Sequence, residues 1–210
     1  MKKTALLFVA ALIIMTSIDF IWPFTTERTD GDVFEQSLNT AEMLTYQDPD
    51  LGFTVKYPSF FTLQPDSLDE CTGYVRFSNG NEMSNVVLEC YALRSYSQSL
   101  KSGMDSLAQV LHATDRKLGN DYFILSGPQY ENDNRINDYS YYSRFVNRGK
   151  LWFVYTMVYP DGYHDHLVRL FKEIDEWQVF EDQHIGISRA DSFMLDAIHK
   201  GYKKRRTVFK

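Results

Sequence analysis

The sequence predicts an α+β sandwich built on a largely antiparallel sheet. Three observations carry this: short stretches of strict apolar alternation, stretches of 3.6-residue apolar period between and after them, and connections of hairpin length where a parallel sheet would need crossovers. With 44% hydrophobic and 15% aromatic residues among 210, the chain has ample material for one core. No internal repeat or low-complexity tract competes with this organisation.

The first strand is read in "GFTVKYP", where Phe53, Val55 and Tyr57 alternate and Pro58 ends the run. A hairpin follows, with "TGYVRFS" and "SNVVLECYALR" on either side of the turn signal Asn79-Gly80. A register that sets Val75 against Val86 also sets Gly73 against Leu88 and Cys71 against Cys90, all on one face. It predicts a disulfide between Cys71 and Cys90. Residues 99–112 carry Leu100, Met104, Leu107, Ala108 and Leu111 as one helical stripe. Gly119-Asn120 then turns the chain into the strand "DYFILSG". A second hairpin runs over residues 138–146 and 151–159 around "NRGK", and tight pairing there predicts Phe145 opposite Trp152 and Tyr141 opposite Thr156. After "PDG", Tyr163, Leu167, Leu170, Phe171 and Ile174 form the apolar side of a second amphipathic helix.

Both ends differ from this middle. Residues 1–24 open with Lys2 and Lys3 and continue from Thr4 to Ile18 as an uncharged, largely apolar run, the layout of an export signal. A cleaved signal peptide and an uncleaved signal anchor both fit; either places the remainder outside the cytoplasm, periplasmic or extracellular. That compartment is oxidising, in keeping with the cysteine pair. Residues 25–44 are polar without strict periodicity and read as a tether, part of which can be helical. Residues 45–180 hold the sandwich. Residues 181–210 read as an extension with an amphipathic helix, opened by Ser188 and Asp191 in capping-box spacing. It closes on Lys200, Lys203, Lys204, Arg205, Arg206 and Lys210 with no acid among them.

Candidate chemistry is sparse. The net charge of −6 argues against nucleic acid as a partner, because such binding needs a positive footprint. "YHDHL" places His164, Asp165 and His166 together, yet at a helix start the two histidines point about 200° apart, so no metal site is expected there. No catalytic motif is recognisable, and Ser126 ends a strand outside any nucleophile-elbow context; no catalytic residue and no cofactor are expected. The aromatic hairpin offers Tyr139, Tyr141, Tyr142, Trp152 and Tyr155 as a candidate partner or ligand surface, although alternation sends the rings to both faces and a sheet covered by helices on both sides accounts for them as core. The basic tail is a candidate electrostatic contact.

"YQDPDLGFTVKYPSFF", "DYFILSG" and "YSYYSRFVNRGKLWFVYTMVYP" running into "IDEWQVF" resemble the PsbP-like superfamily over roughly residues 46–180. Its members include lumenal subunits of photosystem II, a Ran-binding nuclear import factor and exported bacterial proteins. The resemblance implies an α/β/α sandwich used as an accessory module, usually without catalysis. The Cys pair, the long tether and the basic C-terminal helix depart from the photosynthetic members, and no functional residue is carried over. The expectation is a non-enzymatic envelope protein that binds a protein partner or a membrane surface. A small-ligand binder with an aromatic groove is the alternative, and a hydrolase a distant third.

Overall fold

The computed structural model describes residues 28–64, 73–80, 85–95 and 97–179. The export segment, Cys71 and the basic extension lie outside these residues. Nine strands occur among the described residues: β1 (Met43–Gln47), β2 (Thr54–Pro58), β3 (Thr62–Leu63), β4 (Tyr74–Ser78), β5 (Val87–Arg94), β6 (Asp115–Leu118), β7 (Tyr122–Glu131), β8 (Asn134–Arg148) and β9 (Leu151–Pro160). The helices are α1 (Asp30–Thr40), α2 (Leu100–Val110) and α3 (Val168–Glu176), with a 3-10 turn at Asp161–His166 before α3. β1 and β2 pair as a separate hairpin, while the others form one sheet in the order β3-β4-β5-β9-β8-β7-β6. Every recorded pairing is antiparallel. The α+β class read from the sequence is the class formed.

Alternation along the central strands sends side chains to two cores. One face carries Phe153, Tyr155, Met157 and Tyr159 and is covered by residues of α1, α3 and the β1–β2 hairpin. The other carries Phe123, Phe145, Trp152 and Val154 beneath Met104 and Ala108 of α2. Ser99 caps α2, its Oγ accepting from the Ser102 N–H at 3.1 Å. At Gly103 the helix comes so close that a Cβ would sit 2.6 Å from Trp152 Cζ2.

Three expectations are corrected. Residues 25–44 are more than a tether: 30–40 form α1, whose Phe34 and Leu38 are buried, and Phe34 packs on Phe60, Phe61 and Tyr163. Its short apolar stripe of two residues had concealed it. In the first hairpin Val75 lies opposite Cys90, not Val86. The reason is Asn79, which does not close a tight turn with Gly80; it pairs with Val86, whose N–H donates to Asn79 Oδ1 at 3.1 Å. The register that set Cys71 against Cys90 is therefore not the one formed; Cys71 lies outside the described residues, and Cys90 is a buried side chain of the core. In the second hairpin Phe145 faces Val154 and Tyr141 faces Val158, because Arg148 pairs with Leu151 and Gly149, at φ 62°, starts the turn. Both slips are even numbers of residues, so every side chain kept its face. The sequence predicts no element at β6, an exposed edge strand, Asp115–Leu118, that shows no apolar alternation.

Candidate functional site

The aromatic hairpin is mostly core. Tyr141 (5% exposed), Trp152 (3%) and Tyr155 (2%) are buried, which corrects their reading as a partner surface. Trp152 lies on the α2 side, 5.1 Å from the Phe123 ring. Tyr155 lies on the other side, edge-on to Trp177, with its hydroxyl donating to the Lys56 carbonyl at 2.6 Å. Tyr139 and Tyr142 are half-buried and already engaged. The Asn85 N–H donates to the Tyr139 hydroxyl at 3.3 Å, and the Tyr142 hydroxyl donates to Asp175 Oδ1 at 2.6 Å. The sequence placed these rings on alternating faces, and a sheet covered by helices on both faces was the alternative reading of them.

Around Tyr142 the polar groups hold the chain that leaves α3. Arg144, 6% exposed, donates from Nη1 to the Asp175 carbonyl at 2.7 Å and stacks its guanidinium 3.5 Å from the Tyr122 ring centroid. A cation at the last turn of α3 complements the carbonyl end of the helix. Arg148 donates from Nε to the Val179 carbonyl at 2.9 Å, and Trp177 from Nε1 to the Thr54 carbonyl at 2.6 Å. Burial first, then the Asp175 hydrogen bond, raises the Tyr142 hydroxyl above the ordinary tyrosine range. Burial likewise raises Tyr155, and pushes Tyr159 up to about 12. Hydroxyls held neutral in this way are structural donors, unsuited to general acid–base work near neutral pH.

The residues of "YHDHL" part company, as their helical spacing implied. His164 turns its Nδ1 to the Tyr159 hydroxyl at 3.1 Å, whereas His166 turns its Nδ1 to Glu35 Oε2 of α1 at 2.8 Å. Asp32 Oδ1 is 3.9 Å from the same nitrogen. Sequence reasoning missed this cluster because its acids lie in a segment read as a tether; Asp32 and Glu35 at i and i+3 on α1 were the available signal.

A second feature not foreseen is an arm. β8 continues past its last pairing with β9, Tyr139 with Pro160, and β7 past its last pairing with β6, Ser126 with Asp115. Beyond these points the two strands pair only with each other, through Tyr130–Arg135 and Glu131–Asn134, after a register shift between Pro128 and Tyr130. The tip residues Asn132 and Asp133 have φ of 50° and 65°, the positive pair of a type I′ turn. His112 lies against the tip end of the arm, its ring tilted 4.3 Å from that of Tyr130 and its Nε2 4.0 Å from Asp133 Oδ1. Residues 132–135 and 137–138 are exposed.

No family model matches the chain, and no curated protein matches it. Among solved structures, the chain is similar to cyanobacterial PsbP (CyanoP) from Synechocystis sp. PCC 6803, with a TM-score of 0.49 and 13% identity over 67% of this chain and 94% of that one. It is also similar to the Ran-binding protein Mog1p of Saccharomyces cerevisiae, with a TM-score of 0.48 and 9% identity over 65% of this chain and 94% of that one. At these identities the likeness is one of fold.

Proposed function

We propose that the protein is a non-enzymatic accessory module of the cell envelope that works by binding another protein. One observation carries this reading: the arm formed by β7 and β8 extends beyond its neighbouring strands and presents exposed polar side chains on a backbone held by paired strands. A projecting two-stranded arm adds little to the core, so its polar tip is better accounted for by contact with a partner. The basic n-region and apolar run at residues 1–24 support an address outside the cytoplasm. Among the described residues no helix is long and apolar enough to cross a membrane.

The small-ligand alternative loses support, because Tyr142 and Tyr155, which would line its groove, spend their hydroxyls on Asp175 and the Lys56 carbonyl. The basic residues Lys200, Lys203, Lys204, Arg205, Arg206 and Lys210 would add a salt-sensitive contribution to the same association, or attach the module to an anionic membrane surface.

Crosslinking in the native envelope tests the reading. A discrete protein adduct is expected, weakened when Arg135→Ala and Asn137→Ala are combined in the arm. Absence of any discrete adduct, or one indifferent to the arm variant and to the tail charges, would contradict it.

A further inference from the structure

We propose that Asp32, Glu35 and His166 form a binding site for a divalent transition-metal ion of the zinc type. Their ligand atoms all lie within 4.8 Å of one another. The two carboxylates are three residues apart on α1 and so share a side of the helix. His166 comes to them from the 3-10 turn that follows β9, 131 positions away from Glu35. Ligand bonds of about 2.0–2.2 Å in a tetrahedral site set neighbouring donors roughly 3.3–3.6 Å apart. The separations from His166 Nδ1, 2.8 Å to Glu35 and 3.9 Å to Asp32, straddle that spacing. Small side-chain rotations therefore seat an ion without moving the backbone.

The way the imidazole is held is a separate observation. Gly31 is buried, and a Cβ there would collide with His166 Cδ2 and come within 2.8 Å of Nε2. The Cδ2–Nε2 edge of the ring thus lies against the glycine, and Nδ1 is the nitrogen left facing the carboxylates. Fixing a ring so that one chosen nitrogen points at the ion is what outer-shell contacts do at protein metal sites. Side-chain exposures of 48% for Asp32, 43% for Glu35 and 21% for His166 leave a solvent approach for the ion and for the water that completes its coordination.

The donor set selects the metal. An imidazole nitrogen with two carboxylate oxygens suits zinc-like ions, whereas magnesium and calcium prefer oxygen alone. In the structure His166 Nδ1 is hydrogen-bonded to Glu35 Oε2 at 2.8 Å, and an ion would take the place of that contact. The bound ion would tie α1 to the turn that leads into α3, adding to the stability of α1 in proportion to its occupancy.

The test is titration of the purified, untagged full-length chain with Co²⁺ and Zn²⁺, followed by visible absorption for cobalt, calorimetry for stoichiometry, and thermal unfolding. The expected result is one ion per chain, with Zn²⁺ raising the unfolding temperature. Glu35→Gln and His166→Gln should each weaken binding by more than about tenfold, while His164→Gln leaves it unchanged. Glu35 is a partly exposed helix position, its side chain 43% exposed, so its variant folds even if the His166 variant does not. Absence of saturable binding, or binding retained in Glu35→Gln, would overturn the site.

Discussion

On the α1–α3 face of the sheet, side chains reach across to the backbone of what covers them; on the α2 face the cover rests mainly on apolar contact. Tyr155 donates to the Lys56 carbonyl, Arg144 to Asp175, and Arg148 to Val179. Arg169 of α3 adds donors to the carbonyls of Leu38 and Ala41 at the end of α1. On the other face α2 places Met104 and Ala108 in the core and leaves Leu100, Leu107 and Leu111 partly buried, with an exposed Arg116–Asp105 pair at 3.3 Å. Such an exposed pair contributes about 0–1 kcal/mol. Burial alone can cover a sheet; fixing where a helix begins and ends takes polar contacts that are distant in sequence.

The contrast can be broken most forcefully at Leu38, which is fully buried in α1. Leu38→Ala should cost about 2–5 kcal/mol in urea-induced unfolding. A loss below about 1 kcal/mol would return α1 to a tether.

Next in size is the response to alkali, which reads the α1–α3 face through Tyr142, Tyr155 and Tyr159. Their hydroxyls are raised in the folded state, so the unfolded chain loses its tyrosine protons first. Stability is therefore complete below pH 10, the ordinary tyrosine value, and falls as pH climbs toward about 12, where Tyr159 titrates. Denaturation curves recorded at rising pH should show the decline start near pH 10, and Tyr159→Phe should make it shallower. A Tyr159→Phe curve as steep as wild type would remove that hydroxyl from the account.

Met104→Ala, under α2, should cost about 2 kcal/mol, the low end of the range for such truncations, because this residue is at the margin of a smaller core. A loss matching that of Leu38→Ala would erase the difference between the faces. Ser99→Ala should remove about 1 kcal/mol by orphaning the Ser102 N–H. It would sharpen the comparison by showing that α2 depends on its own cap.

Legibility followed the same division. The α2 stripe, the Phe53–Val55–Tyr57 alternation and the long β8–β9 hairpin were visible because each is a local pattern whose period matches its element. α1 was not, since it contributes mainly Phe34 and Leu38 and is held by Arg169 and His166 from more than 120 residues away. The registers were missed by even steps because apolar alternation specifies which face a side chain takes, while the turn fixes the pairing, and Asn79 and Gly149 turn differently from their first reading. The candidate surface shifted for a related reason. Aromatic content marked the hairpin, but α1 and α3 on one side and α2 on the other consumed it, leaving a polar arm that carries no motif.

The claim that most needs testing is that partners are met through this arm. A photoreactive residue placed at Asn137 on β8, and in a parallel strain at the exposed Lys101 of α2, would be activated in intact envelopes. The account predicts a discrete protein adduct from Asn137 and little from Lys101. Adducts of equal yield at the two positions, or none from Asn137, would contradict it.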